Sequence, residues 1–187
     1  MSIGILGGTF DPPHQAHCEI STRAIEQYNL EKVIFIPSAN PWQKIVTTSF
    51  LDRYNMTKLL TDGYQYLEVS DIERDNKKET FTVDTLTNLG IPKNELYFIL
   101  GSDVAVGIKT WNNYEKLGNL TNFLIAPRNN SEEDNLIQEF PFDFQLIEGD
   151  KLEISSTKIR EKYKSGENLK LSIPEVVLRY IKDKNIY

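Results

Sequence analysis

The run SIGILGGTFDPPHQAH, residues 2–17, holds both histidines of a 187-residue chain, His14 and His17, behind the glycine pair Gly7 and Gly8. Imidazole supplies N–H donors and, near neutral pH, a charge within reach. Three residues apart on a helix, the two rings share a face. The apolar run Ile3 to Leu6 precedes the glycines, and helical spacing starts near His14. That order places the pair in the first turn of a helix, where unbonded N–H groups and the macrodipole favour an anion. Gly7 and Gly8 allow φ > 0 or close approach to a ligand, and Thr9 adds a hydroxyl. Pro12 and Pro13 keep the turn extended. The set reads as a compact phosphate receptor.

Three rival chemistries fit less well. A dinucleotide fingerprint needs G-x-G-x-x-G and an acidic residue ending the second strand. Here the glycines fall at 4, 7 and 8, and the second apolar run ends in IPSAN. A P-loop fails because no Gly-Lys-Ser/Thr follows. A zinc pair wants further His or Cys ligands, and the chain has no third histidine and one cysteine, Cys18. A merely structural histidine pair is the bland alternative.

These residues need a scaffold, and the hydrophobic pattern describes one. Short β-branched and aromatic runs recur at 3–6, 33–37, 66–70, 96–100, 123–127 and 144–148. Helix-like segments lie between them at about 15–29, 51–62, 81–89, 112–119 and 131–139. Such alternation predicts an α/β fold, a doubly wound and mostly parallel sheet covered on both faces. After Glu153 the pattern turns to two helices, STKIREKYKSG and a second opening at Pro174. We expect one domain over 1–187, with 154–187 its C-terminal helical part. The polar stretch RDNKKET at 74–80 reads as a solvated loop.

Composition sets outer limits. With 40% hydrophobic residues the chain can build a core, and no apolar run approaches the length of a membrane span. The early glycine turn leaves no room for a signal peptide, and one cysteine fits a reducing cytoplasm, with Cys18 a small apolar residue on a helix. A net charge of −6 argues against broad binding to nucleic acid, but a small anionic ligand needs only local donors.

In an open α/β sheet ligands sit beyond the carboxyl ends of the strands. After the sixth run, ISSTKIR offers Ser155, Ser156 and Thr157 at a helix start with Arg160 one turn on, a second phosphate site or an ordinary cap series. The fourth run ends in Gly101 and Asp103, where glycine lets a ligand approach and a carboxylate can accept ribose hydrogen bonds. Trp111 stands in a polar loop, and Arg128 directly follows the fifth run.

GGTFDPPHQAH resembles the signature of the nucleotidyltransferases with an H-x-G-H motif, in particular the bacterial nicotinate-nucleotide adenylyltransferases. Ala16 replaces the glycine of the wider superfamily. ISSTKIR resembles the family's I-S-[ST]-T-x-[IL]-R element, ETFTVDTL its S-Y-T-x-x-T-[IL], and the closing IPEVVLRYIKDKNIY its last helix, so the match spans essentially the whole chain. Trp42 and Gln43 stand where the family has proline and histidine before a basic residue, here Lys44. Arg53 matches an Asp-Arg element at a helix start, with a structural role as the alternative.

The resemblance implies a Rossmann-like nucleotidyltransferase fold that moves the adenylyl group of ATP to nicotinate mononucleotide in NAD biosynthesis. His14 and His17 would be catalytic. Gly7, Gly8, Thr9, Phe10, Gly101, Asp103, Arg128, Ser155, Ser156, Thr157 and Arg160 would hold ATP, and Lys44, Thr82 and Trp111 the mononucleotide. Mg²⁺ would ride on ATP, with no protein metal cage. The expected partners are these small molecules, without nucleic acid or membrane, and the resemblance allows a homo-oligomer. Nicotinamide mononucleotide as acceptor, a sister transferase, or a non-catalytic nucleotide sensor are the competing expectations.

Overall fold

The computed structural model describes residues 1–44, 46–75, 78–127, 139–150 and 152–187. Each apolar run forms a strand: β1 (Ile3–Gly8), β2 (Lys32–Pro37), β3 (Leu67–Val69), β4 (Leu96–Gly101), β5 (Asn122–Ala126) and β6 (Phe144–Leu146). All neighbours pair in parallel, in the order β3-β2-β1-β4-β5-β6. The chain therefore reverses its winding between β1 and β4, and the crevice at their carboxyl ends is the natural ligand site.

Alternate strand residues feed two cores, as a doubly covered sheet requires. Leu6, Phe35, Ile99 and Leu124 pack with α1 (Gln15–Tyr28) and α2 (Phe50–Thr61). Ile5, Phe98, Leu100 and Ile125 pack on the other face with α3 (Thr82–Leu89), α4 (Ser102–Ala105) and α5 (Leu117–Leu120). The two closing helices, α6 (Ser156–Lys164) and α7 (Glu175–Asp183), contribute Ile159, Val177 and Ile181 to the first core.

Three local expectations are corrected. Gly7 and Gly8 lie within β1, paired with Ile36 and Pro37, and the positive φ of this loop falls on Phe10 at 51°. The predicted helix at 112–119 starts two residues late, at Tyr114, as one tight turn (Tyr114–Lys116) running into α5, because Asn113 takes a left-handed conformation with φ 50°. Pro174 caps α7 from outside rather than opening it. Arg128 and the helix expected at 131–139 fall outside the described residues, save Glu139. Among the described residues no helix is long and apolar enough to cross a membrane.

Cys18 is fully buried on α1, and burial pushes its thiol pKa up to about 12. We predict no reaction of the folded protein with an aromatic disulfide reagent at pH 8, and one equivalent released after denaturation. Rapid labelling of the folded chain would contradict this packing.

Candidate active site

A cleft of about 610 Å³ opens at the carboxyl ends of the central strands. Its walls take Gly7, Gly8, Thr9, Phe10, His14 and His17 from β1 and the turn after it, and Lys44 from the segment after β2. Thr82 opens α3, Gly101 and Asp103 come from the β4–α4 junction, and Trp111 from the loop beyond; all line the cleft. Ser155, Ser156, Thr157 and Arg160 enter from the start of α6. Every site residue expected from the sequence is gathered here apart from Arg128, which lies outside the described residues.

His14 is the N-cap of α1 and His17 its third residue. Their rings stack with centroids 3.7 Å apart, and the His14 backbone N–H donates to Nδ1 of His17 at 3.1 Å. A neutral imidazole carries one proton, so an accepting Nδ1 leaves Nε2 as the N–H donor. His14 is 1% exposed, and the Phe10 ring meets His17 edge-on. The first turns of α1, α5 and α6 carry no carboxylate, whereas α2, α3, α4 and α7 carry Asp52, Asp84, Asp103 and Glu175. The two helix ends rich in expected phosphate contacts thus keep their positive potential uncompensated.

The glycines act through space rather than unusual dihedrals. A Cβ at Gly7 would lie 3.5 Å from the Phe98 ring, and one at Gly8 3.3 Å from the Phe10 ring. Without side chains there, the strand backbone itself forms the floor of the cleft.

The two phosphate-like elements are also bonded to one another. Ser156 Oγ donates to the Pro12 carbonyl at 2.8 Å, and Arg160 Nη1 to the Asp11 carbonyl at 2.6 Å. Ser155 caps α6 by accepting from the Lys158 N–H at 3.3 Å. The second motif therefore braces the first as well as facing the same cleft.

Arg53 proves structural. It is 1% exposed and donates to the Thr9, Ala39 and Thr48 carbonyls at 2.8, 3.3 and 3.3 Å. Burial lowers its pKa, while Asp11, Tyr187 and Glu73 act in the opposite direction. Its fork joins the turn after β1 to the segment after β2, which no single-helix pattern foretells.

A model of cytidylyltransferase-like proteins matches residues 5–162. A Desulfitobacterium hafniense protein named "Probable nicotinate-nucleotide adenylyltransferase" is 38% identical over 99% of this chain and 95% of its own length. The chain belongs to the nicotinate-nucleotide adenylyltransferase family. A Thermoanaerobacter relative of the same name is 36% identical, covering 100% of this chain and 94% of its own. Among solved structures, Plasmodium falciparum nicotinic acid mononucleotide adenylyltransferase complexed with NaAD superposes with a TM-score of 0.83 at 25% identity, covering 100% of this chain and 97% of that one. The same parasite enzyme complexed with APC gives 0.79.

Against the adenylyltransferase pattern, the departures have local explanations. Ala16 is buried on α1 and is not part of the cleft wall. Gln43 donates through Nε2 to Thr110 Oγ1 at 2.8 Å, and Trp42 lies beside Phe81. The altered segment is thus tied to the loop that carries Trp111, whose ring packs edge-on against Phe98.

Sequence reasoning missed Glu73, which is 7% exposed and lines the cleft. It accepts from Thr85 Oγ1 at 2.6 Å and from the Ala39 N–H at 3.1 Å. The adjacent stretch 74–80 is solvated at its start, but Thr80 is buried, 2.9 Å from Ser38 through their hydroxyls. An acidic residue shortly before the threonine-rich helix start was the available signal.

Replacing Arg53 with methionine leaves three carbonyls without their donor in a buried site. We expect Arg53→Met to lower the unfolding free energy by about 3 kcal/mol, measured by urea denaturation. A change below about 1 kcal/mol would show that water replaces the guanidinium.

Proposed function

We infer that the protein transfers the adenylyl group of ATP to nicotinate mononucleotide, giving nicotinate adenine dinucleotide and pyrophosphate for NAD biosynthesis. The observation that carries this is the full-length match to relatives of that name, joined to a cleft that assembles the residues such a transfer needs. The acceptor's 5′-phosphate oxygen attacks the α-phosphorus of ATP in line. A new P–O bond forms as the bond to the β-phosphate bridge breaks, and pyrophosphate leaves with the electron pair. The acceptor is already an anionic nucleophile, so the protein supplies position and positive potential rather than a covalent intermediate.

In this reading His14 and His17 donate to the phosphate oxygens on which charge grows in the transition state. The Nε2–H tautomer imposed on His17 by the His14 backbone supports that role. Gly7, Gly8, Thr9 and Phe10 form the floor against which the nucleotide lies, with Gly101 and Asp103 at the ribose. The N-terminus of α6, with Ser155, Ser156, Thr157 and Arg160, receives the leaving pyrophosphate, and Arg128 adds a further phosphate contact.

Lys44 neutralises acceptor phosphate, Thr82 meets its base, and Trp111 stacks on the pyridinium ring, a contact worth about 1–2 kcal/mol when desolvated. Magnesium enters as part of the substrate, MgATP. The cleft's hydroxyls, imidazoles and Arg160 suit phosphate oxygens. Of its two carboxylates among the described residues, Glu73 is engaged by Ala39 and Thr85 and Asp103 is assigned to the ribose. The divalent ion is therefore left to the nucleotide and water. A homo-oligomer is the assembly we propose.

Pyrophosphate release with MgATP and each mononucleotide in turn tests this reading. We expect turnover to favour the nicotinate form, and His17→Ala to reduce kcat about a hundredfold. Preference for the nicotinamide form would move the acceptor specificity, and no release with either would overturn the assignment.

The Gln43–Thr110 bond gives a second test. Gln43→Ala should raise KM for the mononucleotide about two- to tenfold while kcat stays nearly constant, since one hydrogen bond positioning the Trp111 loop is lost. A fall in kcat at unchanged KM would place Gln43 in the chemical step instead.

A further inference from the structure

Asp11 lies three residues before His14, yet its carboxylate is not part of the cleft wall. It is 7% exposed, and Oδ1 accepts the Tyr187 hydroxyl proton at 2.6 Å across 176 positions of sequence. The backbone carbonyl of the same residue receives Arg160. Asp11 and Arg53 also attract one another electrostatically. Tyr187 itself is held against the edge of the Tyr163 ring on α6, with centroids 6.1 Å apart.

A carboxylate this close to a phosphate site is a hazard. Turned toward the cleft it would repel a polyanion and compete with it for Arg160 and the α1 N-terminus. Burial and a strong O–H donor hold it where it attracts Arg53 instead. Breaking such a bond leaves a buried charge that must find another donor, and the imidazoles and guanidinium of the site lie within its own loop and brace.

We propose that Tyr187 is a positioning residue that keeps the Asp11 carboxylate out of the triphosphate subsite. This rests on the ATP-dependent reading of the cleft, but not on which mononucleotide accepts. A role confined to stability predicts a lower Tm with intact affinity for MgATP. A role in placing charge predicts an affinity loss that neutralising Asp11 repairs.

The experiment is calorimetric titration of MgATP, without mononucleotide, into the full-length wild type, Tyr187→Phe, Asp11→Asn and the double variant, with thermal melts alongside. Tyr187→Phe keeps the ring and removes only the hydroxyl, so it preserves the packing against Tyr163. We expect Kd for MgATP to rise about five- to tenfold in Tyr187→Phe, on the scale of one charge-assisted hydrogen bond. The double variant should return to within about twofold of Asp11→Asn alone, since a neutral amide has no charge to misplace.

Unchanged affinity in Tyr187→Phe, or an affinity loss that Asp11→Asn leaves in place, overturns the proposal. Failure of wild type to bind MgATP would instead reject the nucleotide-site reading beneath it.

Discussion

The turn from Thr9 to His14 must present donors to one side, so its carbonyls need partners on the other. Thr9, Asp11 and Pro12 each direct a carbonyl to a side chain from a distant segment: Arg53 of α2, Arg160 of α6 and Ser156 of α6. Those three bonds, from residues 44 to 149 positions away, fix the entry of α1 and with it the two histidines. A loop this short has no internal means of satisfying those groups, and unpaired buried carbonyls cost roughly 1–3 kcal/mol each.

The same bonds solve an electrostatic problem. Bringing the N-termini of α1 and α6 to one cleft sets two positive ends near each other, and neither first turn carries a carboxylate to relieve them. Asp11 and Glu73 favour the Arg53 cation against its burial, and Arg160 is engaged by the Asp11 carbonyl. The Asp11 carboxylate is thus held off the cleft wall, while Glu73, which lines it, is engaged by Ala39 and Thr85. This is the preorganised potential that an in-line adenylyl transfer needs when the nucleophile belongs to the substrate.

Much of this was legible before any coordinates. The strand runs, the helix starts and the two motif clusters are local patterns, and local backbone preference with two- or 3.6-residue periodicity expresses them directly. His14 and His17 at the head of α1 and a helix start within Ser155–Thr157 followed from residue types and spacing, and the structure makes Ser155 the cap. The helix expected at 112–119 begins only at Tyr114 because a single residue, Asn113, adopts a left-handed conformation that apolar spacing does not register. Glycine tolerates a turn at Gly7 and Gly8 equally well, yet the sheet ladder continues through both and the positive φ falls on Phe10.

Local pattern is enough to read an α/β chain, the order of its elements and the two polar clusters at the starts of α1 and α6. That Arg53 is a buried brace, that Glu73 joins Ala39 to Thr85 and that Tyr187 reaches Asp11 emerges from the packing of distant segments. The reason is physical. Periodicity reports which face of an element is buried, whereas a hydrogen bond between residues 176 positions apart depends on how the whole sheet stacks its helices.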